Sequence, residues 1–251
     1  MAGWLTLFLI ALVPVALQAA PKRDFYQLKI YHLASSEQKQ RLETYLQQAY
    51  LPALHRAGIA TVGVFTPDVD SLLYVLIPFK SADQMLGLDS RLMDDKQYTT
   101  AAAGYINADF DKPYYKRFES ILMDAFAGMP RLVLPTALQG PKAERVYELR
   151  SYEAATERLH ENKIRQFNNG ELDIFKRLGF NTIFCGQVKA GGKMPNMYYM
   201  TSFENKAARD AHWKAFGADP AWKSLNALPE YAHNFMRADI YFLHPTAYSE
   251  I

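Results

Sequence analysis

The side chains with the clearest potential for chemistry alternate along two short segments. These segments are FYQLKIYH, residues 25–32, and VYELRSYE, residues 146–153. Successive side chains of a strand point to opposite faces, so each segment has one polar face. The two polar faces carry Gln27, Lys29, Tyr31, Glu148, Arg150 and Tyr152. Because a guanidinium group suits carboxylates and phosphates, these positions are candidates for binding a small anion.

Two further charged residues, Arg237 and Asp239, alternate in the same way in the last predicted strand. If both faces of the sheet are covered, Lys29, Glu148 and Arg150 are partly buried and must be paired or hydrated. Two interpretations are open: a structural ion-pair network between sheets, or a pocket for a small anionic or polar ligand. We expect the three residues to share one cluster between the two sheets. Two cations then face one carboxylate, so another acid or a bound anion is needed. Asp239 is the candidate acid; if it points away, an anion site is the better interpretation.

The histidines and the cysteine add little chemistry. His233 precedes the last strand and is a candidate acid–base residue that could reach the polar face. His212 is either a packing residue or, in a haem protein, an axial ligand. Cys185, the single cysteine, is expected to be a buried apolar side chain in a strand. The sequence shows no zinc spacing, nucleophile elbow, phosphate loop or dinucleotide fingerprint, so we predict no metal site and no cofactor.

The elements that must position these residues occur twice along the chain. At a shift of 121 residues Tyr26 aligns with Tyr147, and Gly58 aligns with Gly179. Each copy predicts a strand, a helix that ends at the aligned glycine, two strands, a broken helical segment and a closing strand. We therefore predict two β-α-β-β-α-β units, residues 24–125 and 144–245, joined by a linker over residues 126–143.

One such unit leaves a sheet face uncovered. The unit typically forms a four-stranded antiparallel sheet with both helices on one side. The other side must be buried, and a second sheet can bury it. Two copies in one chain therefore favour a fold in which each covers the other, as two subunits of a symmetric dimer would.

Composition limits the classes of partner and suggests a location. The 251 residues carry a net charge of +2, which gives no basic excess of the kind that nucleic-acid binding requires. Residues 1–20 contain no charged side chain, and the apolar run of residues 4–17 has the length of a signal-peptide core. We expect this segment to be cleaved and the protein to be exported, to the periplasm or outside the cell. A membrane anchor through residues 4–17 is the alternative, and no other membrane span is expected.

The C-terminal copy resembles a known family. Its segments VYELRSYE, ELDIFKRLGFNTIFCGQV and MYYMTSFENKAARDAHWKAFGADPAW, with Trp213 and Asp219–Trp222, resemble the NIPSNAP family of the dimeric α+β barrel superfamily. The resemblance is good over residues 144–245 and looser over residues 24–125, which lack both tryptophans. It implies an α+β fold of two tandem ferredoxin-like units, packed as a pseudo-dimeric α+β barrel.

The resemblance implies a fold more firmly than an activity. Some family members act in protein–protein signalling, and the superfamily includes small monooxygenases and haem-using enzymes. The first hypothesis is therefore an exported protein that binds a small polar or anionic ligand or a protein partner. The alternative is a small oxidoreductase of the monooxygenase type, with or without haem. Assembly into a homo-oligomer is left open.

Overall fold

A closed barrel of antiparallel strands forms the centre of the molecule. The computed structural model describes residues 22–68 and 71–251, and the segment predicted as a signal peptide or anchor, residues 1–20, lies outside this range. The strands of the described part are β1 (Phe25–His32), β2 (Gly63–Pro67), β3 (Leu72–Phe79), β4 (Arg117–Ala125), β5 (Val146–Glu153), β6 (Asn181–Ala190), β7 (Asn196–Phe203) and β8 (Arg237–Pro245). They pair antiparallel in the order β1-β3-β2-β8-β5-β7-β6-β4, and β4 pairs back onto β1. Closure leaves no unpaired sheet edge.

Helices cover the outside of this barrel. They are α1 (Ser36–Tyr45), α2 (Leu51–Arg56), α3 (Ala82–Leu86), α4 (Leu88–Asp94), α5 (Lys96–Ala101), α6 (Ala103–Ile106), α7 (Glu157–Gln166), α8 (Leu172–Arg177), α9 (Lys206–Ala218) and α10 (Pro220–Asn226). Short 3₁₀ turns occur at Lys142–Glu144 and Pro229–Tyr231. The α+β fold class predicted from the sequence, a barrel built from two sets of four antiparallel strands, is confirmed.

The helix ends follow the local sequence. Gly58 (φ 85°) and Gly179 (φ 76°) close the predicted helices in the left-handed conformation that glycine adopts readily. Asp219 caps α10 by accepting hydrogen bonds from the backbone N–H groups of Ala221 and Trp222, and Pro220 occupies the first helical position.

The first helical segment of each half contains a widened π turn that the sequence did not reveal. The turns are Leu46–Tyr50, between α1 and α2, and Phe167–Glu171, between α7 and α8. The first of them lies just before Pro52, which has no backbone N–H to continue a regular helical ladder. A π turn inserts an extra residue into the helical ladder and is frequent at functional sites.

The interior of the barrel is apolar, and this corrects one expectation. Tyr26, Leu28, Tyr147 and Leu149 point inward and join a single core with residues of both halves. By alternation, the polar set that includes Lys29, Glu148 and Arg150 points outward, beneath the helices. The prediction that these charges lie between the two sheets is therefore wrong. A closed interior has no room for hydration of unpaired charges, so the apolar face is the one that turns inward.

Two more apolar cores lie between the barrel and its helices. The first, on the N-terminal half, includes Tyr31, Leu42 and Leu54, and the second, on the C-terminal half, includes Tyr152, Phe167 and Phe175. The polar residues of β1 and β5 border these two layers. No helix within residues 22–68 and 71–251 combines the length and apolar character needed to span a membrane.

Candidate functional site

A buried carboxylate is the centre of the candidate site. Glu148, on the outer face of β5, has no exposed surface. Its oxygens accept hydrogen bonds from Nε of Arg150, from Nε of Arg209 on α9, and from the indole N–H of Trp213 at 3.0 Å. Arg209 and Trp213 lie four residues apart, so they project from the same face of α9. These hydrogen bonds therefore connect α9 to β5 through the carboxylate of Glu148.

The guanidinium of Arg150 is held on several sides. It stacks on the ring of Trp213 with 3.6 Å between the guanidinium carbon and the ring centroid. Its Nη1 donates to the hydroxyl of Tyr152 at 3.1 Å, and the Tyr152 hydroxyl lies 3.0 Å from that of Tyr199. Burial acts to lower the pKa of Arg150, but Tyr199, Tyr152 and Glu148 together raise it, so the group stays charged. A fixed and permanently charged guanidinium is suited to recognising an anion.

The cluster carries more positive than negative charge. Two guanidinium groups share the single carboxylate of Glu148. The half-exposed Asp210, bonded to Arg209, is also shared with Lys206, so three cations face two carboxylates. The side chains of Arg150 and Arg209 are 12% and 16% exposed, so solvent reaches part of each. In each of them Nη2 has no hydrogen-bond partner among the described residues. The site therefore offers hydrogen-bond donors and uncompensated positive charge at its open side.

A second buried ion pair lies beside this cluster and is balanced. Lys163 on α7 donates to Gln166 at 2.8 Å and to Glu171 at 2.9 Å, and both charged side chains are almost completely buried. Burial raises the pKa of Glu171, while Lys163 acts to lower it. The π turn that ends at Glu171 places this carboxylate within reach of Lys163. This pair adds no net charge, so the excess positive charge comes from the cluster around Arg150 and Arg209.

An exposed apolar strip runs next to the arginines. Ile240 on β8 lies opposite Arg150 in the strand register and is 43% exposed. Phe242, opposite Glu148, packs its ring 5.1 Å from the guanidinium of Arg209. This arrangement combines a cationic floor with an apolar wall, which is the pattern of sites for organic anions.

Lys29 lies in a different place from the one expected. It lies on the outer face of β1, under the helices of the N-terminal half, and donates to the hydroxyl of Tyr50 at 3.0 Å. Its ammonium is near the rings of Tyr50 and Phe118, at 5.0 and 5.4 Å. Burial lowers the pKa of Lys29. The predicted cluster that unites Lys29 with Glu148 and Arg150 is therefore wrong, because each half keeps its polar residues under its own helices.

Asp239 and Arg237 also lie outside the cluster. Asp239 is opposite Ser151 in the register and so faces away from Arg150. It accepts hydrogen bonds from Lys193 at 2.7 Å, which lowers its pKa, and from Arg237 at 3.0 Å. Arg237 itself is 62% exposed. Asp239 therefore does not fill the place of the missing acid beside Arg150, and it forms with Arg237 a salt-bridged rim at one end of the barrel.

The histidines and the cysteine do not join the arginine cluster. His233 is exposed in the loop before β8, has a positive φ of 53°, and makes no side-chain hydrogen bond within the described residues. His212 donates from Nδ1 to the carbonyl of Ala208 at 2.7 Å and packs against Phe180 and Phe203, over Gly179. His212 is therefore part of the aromatic layer between the barrel and α9.

Cys185 is fully buried, and burial raises its pKa, as a structural cysteine requires. Across residues 22–68 and 71–251, no three His, Cys, Asp or Glu side chains converge closely enough to hold a metal ion.

Sequence reasoning missed Arg209, Lys163 and Glu171. Arg209 could have been found, because it lies one helical turn before Trp213 and would share its face. Lys163 and Glu171 are eight residues apart, a spacing that the inserted π turn changes, so their pairing could not be derived from an ideal helix.

The part of the chain that carries this cluster matches a known family. Residues 147–250 match the NIPSNAP family. The match includes Glu148, Arg150, Arg209 and Trp213, so the site belongs to the NIPSNAP-like part of the chain. A comparison with curated proteins gave no significant match.

Solved structures are similar to almost the whole chain. A candidate monooxygenase from Lactobacillus acidophilus has 11% identity and a TM-score of 0.58, covering 89% of this chain and 94% of its own. A second, from Fusobacterium nucleatum, has 7% identity and a TM-score of 0.58, covering 90% and 93%. An anthrone oxidase-like protein has 10% identity and a TM-score of 0.53, also covering 90% and 93%. At these identities the similarity establishes the fold and not the activity.

Proposed function

We propose that this protein binds a small carboxylate with an apolar body at the cluster of Glu148, Arg150, Arg209 and Trp213. The observation that carries the proposal is the convergence of two arginines on one buried carboxylate. Each arginine keeps an unpaired nitrogen at a partly exposed position. An anion would bring the charges into balance, and charge-assisted hydrogen bonds of this kind are the strong ones.

The position of Asp239 supports a ligand over a closed structural network. If Asp239 had faced Arg150, the acids and bases of the cluster would have balanced without a ligand. It faces the other side of the sheet, so this balance is missing. The apolar strip of Ile240 and Phe242 beside the arginines favours a carboxylate with an extended aliphatic chain over an inorganic anion.

Calorimetric titration of the purified protein with octanoate and with octanol tests this function. We expect saturable binding of octanoate, at least tenfold tighter than that of octanol, because only the acid engages the arginines. Arg150→Met should abolish the preference for the acid, whereas Arg158→Met, at an exposed position of α7, should preserve it.

A loss of stability in Arg150→Met without any change in octanoate binding would instead assign the cluster a structural role. Equal binding of octanoate and octanol by the unaltered protein would likewise count against the proposal.

The second candidate function is an oxidoreductase of the monooxygenase type. It rests on the whole-length similarity in fold to the two candidate monooxygenases and to the anthrone oxidase-like protein. The hydrogen-bonded tyrosines Tyr152 and Tyr199, beside Arg150, would form the polar wall of such a site. Oxygen uptake with phenolic substrates tests it, and uptake that Tyr152→Phe leaves unchanged would exclude this site.

A further inference from the structure

A separate cavity lies on the N-terminal half, away from the arginine cluster. It has a volume of about 330 Å³ and opens between α1, the π turn that follows it, and the helices α5 and α6. A cavity of this size suits a compound with one or two rings. Its lining includes Arg41, Tyr45, Ala101, Gly104, Tyr105 and Tyr114.

Three tyrosine rings and several small residues line this cavity. Tyr45 and Tyr105 are stacked with 3.7 Å between ring centroids and an interplanar angle of 3°. Tyr114 meets Tyr105 edge-on at 5.2 Å. Its hydroxyl lies 2.9 Å from the point that a Cβ on Gly104 would occupy, so only glycine permits this approach. Rings that prefer stacked or edge contacts suit a planar aromatic guest.

A guanidinium group stands at the rim of the cavity. Arg41 stacks over Tyr114 with 4.2 Å between the guanidinium carbon and the ring centroid. Its Nη2 donates to the carbonyl of Lys112 at 3.3 Å, while Nε and Nη1 have no hydrogen-bond partner among the described residues. Within the part of the chain that the structure describes, no carboxylate side chain lines the cavity. The rim can therefore accept a carboxylate without displacing an existing ion pair.

The matching helical face of the C-terminal half is covered by the chain itself. At the shift of 121 residues Arg41 corresponds to Asn162 and Tyr45 corresponds to Gln166. Asn162 donates to the carbonyl of Glu230, and Gln166 donates to Asn226 at 3.4 Å. The end of α10 and the turn that follows it thus lie over this face, where the N-terminal half has the cavity.

We propose that the N-terminal half binds a planar aromatic carboxylate in this tyrosine cavity. The ring packs against Tyr45, Tyr105 and Tyr114, and the carboxylate is bound by Arg41. The site is independent of the proposed octanoate site, because the two lie on different halves of the chain and share no residue.

Titration with benzoate, cyclohexanecarboxylate and benzyl alcohol tests the proposal. We expect the unaltered protein to bind benzoate saturably and at least tenfold tighter than the other two probes, which lack either the planar ring or the charge. Ala101→Leu fills the cavity from an exposed helix position and should weaken benzoate binding by tenfold or more. Ala103→Leu, also exposed on a helix but outside the cavity, should leave it unchanged.

Two arginine variants distinguish binding in the tyrosine cavity from binding at the cluster around Arg150. Arg41→Gln should weaken benzoate binding by tenfold or more, whereas Arg150→Met should not affect it. The proposal is overturned if benzoate does not bind, if cyclohexanecarboxylate binds equally well, or if Ala101→Leu and Arg41→Gln bind benzoate like the unaltered protein. Benzoate binding that only Arg150→Met abolishes would assign the probe to the C-terminal site and would also overturn it.

Discussion

Glu148 shows how one side chain can hold several elements together. It connects β5 to α9 through hydrogen bonds with Arg209 and Trp213, and it orients Arg150 on its own strand. Removing one partner from a buried charged group leaves the others uncompensated, and this costs more than the pair itself contributes.

Glu148→Gln should therefore lower the free energy of unfolding by about 3 kcal/mol, because two guanidinium groups lose their only buried carboxylate. Chemical denaturation monitored by tryptophan fluorescence measures this change. Asp210→Asn is the matched control, because its carboxylate is half exposed and should contribute about 1 kcal/mol or less. If the loss of stability in Glu148→Gln is no larger than that of the control, the hydrogen bonds of Glu148 do not stabilise the fold.

Lys29 gives a prediction about pH. Burial lowers its pKa in the folded state, so the unfolded chain binds this proton more tightly. The free energy of unfolding should therefore rise as the pH increases from the lowered pKa of Lys29 towards that of a free lysine, about 10.4.

Lys29→Met should lack this alkaline rise and should be at least as stable as the unaltered protein near neutral pH. Denaturation curves recorded from pH 7 to pH 10 measure the difference between the two proteins. Parallel pH profiles would show that Lys29 stays protonated throughout.

At the scale of the elements, glycines decide where the helices stop. In the C-terminal half, α8 is closed by Gly179, whose φ of 76° is unfavourable for any residue with a Cβ. Gly217, by contrast, lies within α9 in open space, where an added Cβ meets no atom within 4 Å.

Gly179→Ala should lower the free energy of unfolding by about 1–2 kcal/mol, since alanine in the left-handed region is strained. Gly217→Ala should raise it by about 0.5–1 kcal/mol, because alanine is the better helix former. Thermal denaturation shows whether each variant is more or less stable than the unaltered protein. A stabilised Gly179→Ala would contradict the conformation of this helix end.

At the scale of the whole molecule, the strands of the two halves together form one closed barrel. The strand pairs β2–β8 and β4–β6 connect the halves, and the inner core contains residues from both. The prediction that residues 24–125 and 144–245 superpose as two copies of one unit remains a prediction.

Residues 144–251 expressed alone should form a dimer or aggregate and should not be a stable monomer. The isolated half would expose the inward faces of β5 and β7, including Tyr147, Leu149 and Met200. Apolar surface of this extent favours association. Light scattering after size exclusion measures the mass, and a folded monomer would contradict the mutual covering of the sheets.

Export is a further prediction for the full chain. We expect protein isolated from its native host to begin near residue 20 and to be located outside the cytoplasm, because residues 4–17 match a signal-peptide core. Intact-mass measurement checks the start of the chain. A mass that retains residues 1–17 would favour the anchor.

The sequence by itself determined the elements and their order. Alternation identified β1 and β5, and the aligned glycines located the helix ends. These features depend on interactions between residues that are close along the chain, such as caps, turns and side-chain periodicity. The resemblance to the NIPSNAP family covered the same part of the chain that matches the family.

Only the tertiary structure decided which face of each strand points inward and which charges meet. Alternation places Lys29 and Arg150 on the polar faces of their strands. It does not say whether the polar or the apolar face points into the closed barrel. Arg209, and not Asp239, lies against the cluster, because the register of β8 turns Asp239 to the other side and α9 brings Arg209 over β5. These pairings join residues about 60 to 90 positions apart, so they depend on packing between elements, which local sequence patterns do not specify.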